Sequence, residues 1–244
     1  MRRVRLAIVA AASLLACMVC GATVPKVCRA QAPAGGAEER FYYLLFTAQD
    51  ALKNPRETHT WAVMVRMVDA RIVETHTISW LPSDLRIKPA SVVVEPGTNL
   101  SYQETIRWSL AHPRQRMALW GPYEAAPELY ARFVARKTQL ESGALGYQCV
   151  DMLGEAALRK NGVNCVHSLT QIEGPATDEL FRSYGHSSGL YMSQSLATRG
   201  LIGPYSGRDE WLLPALGLQQ VPLERRSMSP TIDTATRPGS TFAN

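Results

Sequence analysis

Short apolar runs separated by polar turns dominate the first half of this chain, and their periodicity predicts strands. Residues 41–46 form a continuous aromatic and aliphatic run, which indicates a buried strand. Residues 59–68 and 72–80 predict two more strands, joined by a tight turn at residues 69–71. Alternation along each strand gives one set of residues that share a face: His59, Trp61, Val63, Val65 and Met67 in the first, and His76, Ile78 and Trp80 in the second.

In the second half of the chain, apolar residues recur at helical spacing. The helices predicted are residues 103–111, a segment from Pro127 to a stop at Gly143, residues 165–172 and residues 189–198. Further short strands are predicted at residues 86–94, 116–120 and 145–150. Strands and helices that mix without regular βαβ alternation predict an α+β fold, here a single domain with an antiparallel sheet and a cysteine-bearing helix.

The first 32 residues have the pattern of a leader that is removed on export. Three arginines precede an apolar run that begins at Leu6, and Ala30-Gln31-Ala32 matches a small-residue cleavage site. The sequence therefore predicts a signal peptide over residues 1–32 and a periplasmic, envelope or secreted protein. Leu14-Leu15-Ala16-Cys17 resembles a lipobox, so the alternative is a lipoprotein tethered to a membrane through Cys17.

The expected domain boundaries follow from this leader and from composition. A short linker is predicted at residues 33–40, the folded domain at residues 41–224, and a disordered tail at residues 225–244, which are rich in Ser, Thr and Pro. About 210 residues without the leader suit one domain with a sizeable core.

Loss of the leader also removes the apparent basicity of the chain. Five of the 26 basic residues precede Pro33, together with no acidic residue, so 21 basic residues remain against 21 acidic ones. A neutral chain gives no reason to expect a nucleic-acid partner. The histidines lack metal-ligand spacing and no Gly-rich phosphate loop occurs, so no metal or cofactor is expected.

The residues that offer the most coherent chemistry are Asn164-Cys165-Val166-His167. A thiol attacks as its thiolate, and a helix N-terminus or a nearby imidazolium lowers its pKa. Cys165 stands where a loop is predicted to enter a helix. His59 begins a predicted strand about a hundred residues upstream.

This segment resembles the Asn-Cys-x-His motif of lecithin:retinol acyltransferase-like proteins, thiol enzymes with a circularly permuted, papain-like NlpC-type fold. In that family the catalytic histidine precedes the cysteine, on a strand that begins His-Trp-Ala or similar. His59-Thr60-Trp61-Ala62 is similar to it, with one inserted residue. The resemblance implies that Cys165 is the nucleophile, His59 the base and His76 the orienting third residue. The implied activity is hydrolysis or transfer at an amide or ester through an acyl-thioester, on an acyl, peptide or lipid substrate.

The role of His76 depends on strand register. If the turn takes two residues, Asp69 and Ala70, then His59 faces Trp80 and His76 faces Val63. The two histidines then share a face but lie roughly 13 Å apart along the sheet. His76 orients His59 only if a bulge or a longer loop shifts the register.

Alternatives to these roles remain open. Cys149 and Cys165 are the two cysteines after the leader, so a disulfide in a non-catalytic envelope or extracellular domain is the second hypothesis. His186 follows the cysteine in the chain, as the base does in non-permuted papain-like enzymes, and is the second candidate for the base. His167 is expected to point away from the thiol and to support packing or capping.

Overall fold

The computed structural model describes residues 37–112, 114–151, 161–173 and 184–228. The predicted signal peptide, residues 33–36 of the predicted linker and residues 229–244 of the predicted tail lie outside the described residues. Within the described part, no helix is long and apolar enough to cross a membrane.

Five strands form the main sheet, in the spatial order β3-β2-β1-β6-β9. Their bounds are β1 Glu39–Gln49, β2 His59–Val68, β3 Arg71–Ile78, β6 Arg116–Ala125 and β9 Leu223–Arg226. Neighbouring strands run antiparallel except β9, which pairs in parallel with β6. Two small two-stranded sheets pair β4 Trp80–Pro82 with β5 Gly97–Asn99 and β7 Gly146–Tyr147 with β8 Gly162–Val163.

The described helices fall between and after these strands. Their bounds are α1 Tyr102–Leu110, α2 Pro127–Glu141, α3 His167–Thr170, α4 His186–Thr198 and α5 Leu212–Ala215, with short 3-10 turns at Pro55–Glu57 and Leu218–Gln220. Helix α1 begins with a capping box, in which Ser101 and Glu104 each bond the backbone N–H of the other.

Each face of the main sheet has its own hydrophobic core, because alternate residues of each strand point to opposite faces. The first face carries Tyr43, Leu45, Ala62 and Met64 and is covered by residues of α2 and α4. The second face carries Tyr42, Leu44, Phe46, Trp61 and Val63 and packs against Leu212 and Leu218. Strands β1 and β2 are buried on both faces, which explains their nearly continuous apolar sequences.

The α+β class is confirmed, and two predicted boundaries are wrong. Strand β1 already begins at Glu39, inside the predicted linker. Strand β9 extends to Arg226, inside the predicted tail, and its parallel pairing makes the sheet mixed instead of antiparallel.

Three strand predictions also need correction. Residues 86–94 contain no strand, and the predicted strand at 145–150 is reduced to Gly146–Tyr147. Strand β6 does not close at Gly121-Pro122 but continues to Ala125. The register between β1 and β6 shifts at this dipeptide, so a bulge accommodates a proline that has no N–H to donate.

Candidate functional site

A bulge in β3 decides where the two predicted histidines point. The turn does take two residues, Asp69 and Ala70, both with positive φ. Arg66 then pairs with Glu74 but Met67 pairs with Ile72, which leaves Val73 as an extra residue. His76 therefore pairs with Met64, on the first face of the sheet.

His59 lies on the opposite face from His76, so the prediction that the two share a face is wrong. The His59 ring stacks on Trp61 of the second core at 5.5 Å between centroids and meets Trp108 edge-on at 5.4 Å. Its Nε2 atom lies 2.9 Å from the Ser79 hydroxyl, and its Nδ1 atom has no hydrogen-bond partner among the described residues. Full burial lowers the pKa of His59 to about 3, which keeps the ring neutral.

His76 lies in a different environment, at the partly exposed edge beside α2. Its Nε2 atom contacts Glu74 at 3.1 Å and the Tyr130 hydroxyl at 3.3 Å. No hydrogen bond of the described residues joins His76 to His59 or to Cys165. The structure does not bring the three predicted catalytic residues together.

Asn164 starts the turn that holds Cys165. Its side-chain oxygen accepts hydrogen bonds from the N–H groups of Val166 at 2.9 Å and His167 at 2.8 Å. Its carbonyl accepts from Ser168 N–H at 2.9 Å, which is helical spacing. Asn164 thus acts as an N-cap, and Cys165 lies in the first turn of the helical segment, as the sequence predicted. The regular helix α3 is shorter than predicted and covers only four residues, His167–Thr170.

A buried, hydrogen-bonded pair of side chains, Asp151 and His167, lies next to this turn. His167 Nδ1 lies 2.6 and 2.7 Å from the two carboxylate oxygens of Asp151, and the two side chains are 7% and 5% exposed. A carboxylate only accepts, so Nδ1 carries the proton and donates. Asp151 also accepts from the backbone N–H of Asn164 at 2.9 Å and from its side-chain amide at 3.0 Å. His167 therefore does more than the packing or capping expected of it, and Asp151 carried no sequence signal.

The Cys165 thiol itself is buried in the first core. Burial raises its pKa to about 12, and hydrogen bonding from the backbone of Thr60 and of Cys165 offsets only part of this. Cys149 is half-buried, and burial raises its pKa as well. Both are free thiols in the structure, so the disulfide of the second hypothesis is not formed.

Thr60, not His59, lies on the Cys165 side of strand β2. In the family that the motif resembles, the histidine directly precedes Trp-Ala, and here Thr60 directly precedes Trp61-Ala62. One inserted residue on a strand sends a side chain to the other face. His59 directly precedes Thr60, so the alternation along β2 turns its imidazole to the face opposite Cys165.

His186 lies on the same face as Cys165, in a small polar cluster. Its Nδ1 atom is 2.7 Å from the Thr47 hydroxyl, and Thr47 pairs across the sheet with Thr60. The Thr60 hydroxyl in turn lies 2.8 Å from that of Ser188. Burial, foremost, lowers the pKa of His186 to about 4. Gly185 is the N-cap of α4, with a φ of 63°, so this helix begins three residues before the predicted start at residue 189.

An open concavity lies elsewhere, at the end of the sheet where β1 begins. It is a cavity of about 680 Å³ on the second face. Its walls come from β1, the β2–β3 turn, β6 and the segment before α5, and they include Arg40, Tyr42, Glu124, Arg208, Asp209 and Trp211. No sequence motif marked these residues, because they come from distant parts of the chain.

Among the described residues, no group of three His, Cys, Asp or Glu side chains could hold a metal ion. No family model matches the chain, and no curated protein or solved structure is detectably similar to it.

Proposed function

We propose that the chain is an exported, non-catalytic binding domain in which Cys165 and its neighbours form part of the core. The observation that carries this proposal is the orientation of strand β2, which presents Thr60 to Cys165 and buries His59 on the other face. Because both cysteines are free thiols, the proposal includes no disulfide.

The protonation states of the two groups support the same proposal. Burial raises the pKa of Cys165 to about 12, so the group is a thiol and not a thiolate at neutral pH. His59 is neutral, but it lies on the opposite face of the sheet from the thiol, and its Nε2 atom is already hydrogen-bonded to Ser79. A pair that works as nucleophile and base needs hydrogen-bond reach and a lowered thiol pKa.

Alkylation kinetics test this proposal. The protein is treated with iodoacetamide at pH 7, and the labelling of each cysteine is followed by peptide mass spectrometry. We expect Cys165 to label slowly in the native protein, more slowly than the half-buried Cys149, and rapidly in denaturant. A His59→Phe variant should leave the native rate unchanged, since the ring does not contact the thiol.

The second candidate function is the cysteine-dependent hydrolase or acyltransferase that the sequence predicts. The Asp151–His167 pair, two residues from Cys165, favours it, because an imidazole oriented by a carboxylate is the usual partner of a catalytic thiol. In that case His167 replaces His59 as the base. Rapid labelling of native Cys165 at mildly acidic pH, slowed by His167→Gln but not by His59→Phe, would overturn the non-catalytic proposal.

A further inference from the structure

The cavity at the start of β1 has an aromatic corner. The rings of Tyr42 and Trp211 meet at 85° with 6.4 Å between centroids. Tyr42 is 2% exposed, whereas Trp211 is 41% exposed. The other four tryptophans of the chain are buried, so Trp211 is the one with a substantial part of its side chain accessible to a ligand.

Charge in the cavity is not balanced by its own residues. Four carboxylates line it, on Glu38, Glu39, Glu124 and Asp209, against the guanidinium groups of Arg40 and Arg208. Arg40 pairs with Glu38 at 2.5 Å, and Glu39 pairs with Arg66 at 2.5 Å. Glu124 and Asp209 have no ion-pair partner among the described residues, although Asp209 accepts a hydrogen bond from the Ser206 hydroxyl at 3.1 Å.

These two carboxylates lie beside the aromatic corner. Burial is the main reason that the pKa of Tyr42 is raised, and the charges of Asp209 and Glu124 raise it further, while Arg40 lowers it. Glu124 pairs with Tyr42 across the sheet, and Asp209 lines the same cavity. Arg208 is exposed, also lines the cavity and has no ion-pair partner among the described residues.

We infer that this cavity binds a small organic cation, an alkylammonium or quaternary ammonium group. The cation lies between the carboxylates of Glu124 and Asp209, and its alkyl groups pack on the Trp211 face, where the ring quadrupole attracts positive charge. A bare metal ion is bound by closely spaced oxygen ligands, whereas an aromatic wall and a volume of about 680 Å³ suit an organic ligand. The inference rests on the proposed binding function and names the ligand class.

Titration of the full chain tests the inference. Tetramethylammonium and butylammonium chloride are added at constant ionic strength, with tryptophan fluorescence and calorimetry as readouts. Acrylamide quenching reports Trp211 because the other tryptophans are buried. We expect saturable binding of both cations and protection of Trp211, with no response to the neutral 1-butanol or tert-butanol at equal concentration.

Variants locate the binding. Asp209→Asn and Trp211→Leu are each expected to weaken butylammonium binding about fivefold to tenfold. Glu210→Gln is the matched control, since Glu210 lies on the same segment but pairs with Arg225 outside the cavity, and binding should be unchanged.

Three results contradict the inference: no saturable response to either cation, an equal response to the neutral alcohols, or tight binding of calcium that Asp209→Asn removes while Trp211→Leu does not. Failure of the proposed function is separate, since it shows as rapid alkylation of native Cys165. Slow alkylation with no ammonium binding refutes the ligand and leaves the binding domain without this site.

Discussion

The Cys165 region and the Tyr42–Trp211 cavity use polar residues in opposite ways. Around Cys165, the polar side chains of Asp151 and His167 are buried and hydrogen-bonded to each other. In the cavity, Glu124 is exposed and Asp209 is half-buried, and neither has an ion-pair partner among the described residues. The Cys165 region thus has the residue types of a reactive site, but they are buried and bonded to each other. The cavity has accessible polar residues but no sequence motif.

The difference indicates that two properties of a polar side chain matter more for function than its residue type. They are its access to solvent and whether it already has a partner within the protein. Buried polar groups must find partners inside the protein, so their net effect is to fix one structure. Unpaired charges at a concave surface cost the fold little, because water solvates them until a ligand replaces it. A cysteine next to a histidine in the sequence therefore says less about function than the face to which each side chain points.

The largest expected effect comes from breaking the buried pair. Asp151→Ala leaves His167 Nδ1 and the backbone N–H of Asn164 without their acceptor in a buried site. We expect a loss of about 3–5 kcal/mol in the free energy of unfolding, measured by urea denaturation.

The control is Asp84→Ala, which removes an exposed ion pair with Lys88 and should cost less than about 1 kcal/mol. Equal and small losses for the two variants would contradict the comparison, because they would show that the Asp151–His167 pair does not hold the Cys165 region together.

The next effect is a pH dependence that belongs to the buried His59. Its folded-state pKa of about 3 is below the unfolded value of about 6.5, so the unfolded chain binds the extra proton between these values. The stability that His59 contributes is present above pH 6.5 and is lost as the pH falls towards 3. Between pH 7 and 4.5 we expect about 2–3 kcal/mol of additional loss from this residue.

Urea denaturation of the protein and of His59→Phe at pH 7, 5.5 and 4.5 measures this loss. The variant lacks the titrating ring, so its stability should fall less on acidification, and the carboxylates common to both proteins cancel in the difference. If the free energies of unfolding of the two proteins fall in parallel with pH, His59 is solvated. The second face of the sheet would then be more accessible to water than the structure shows.

The sequence predicted the central strands well, because strands that are buried on both faces are apolar at nearly every position. It predicted the face of His59 correctly within its own strand, since Trp61, Val63 and Val65 alternate regularly. It did not predict the bulge at Val73, which lets Ile72 pack on the second core while Ile78 packs on the first. Ile72 and Ile78 are an even number of residues apart, so strict alternation predicts that they share a face. The bulge places them on opposite faces, and the local periodicity of the sequence does not reveal it.

The candidate site was less predictable for a similar reason. The helical turn at Cys165 is local and was predicted, because it is set by residues two to four positions apart. The partner of His167 lies on a separate segment, and the Tyr42–Trp211 corner joins the first strand to a loop near the end of the chain. Such pairs depend on tertiary packing, and no spacing rule along the chain encodes them.

The smallest expected effect completes the comparison, since it applies the same kind of change to the cavity. Asp209→Asn keeps an oxygen that accepts from the Ser206 hydroxyl and removes a charge that no ion pair neutralises. We expect the free energy of unfolding to change by no more than about 0.5 kcal/mol. The change should be towards greater stability, because the repulsion between the carboxylates that line the cavity with Tyr42 falls. Urea denaturation at low and high salt measures it, and any gain should shrink at high salt. A loss above about 1.5 kcal/mol would mean that Asp209 stabilises the fold, and the contrast between a structural carboxylate at Asp151 and a ligand-facing one at Asp209 would then fail.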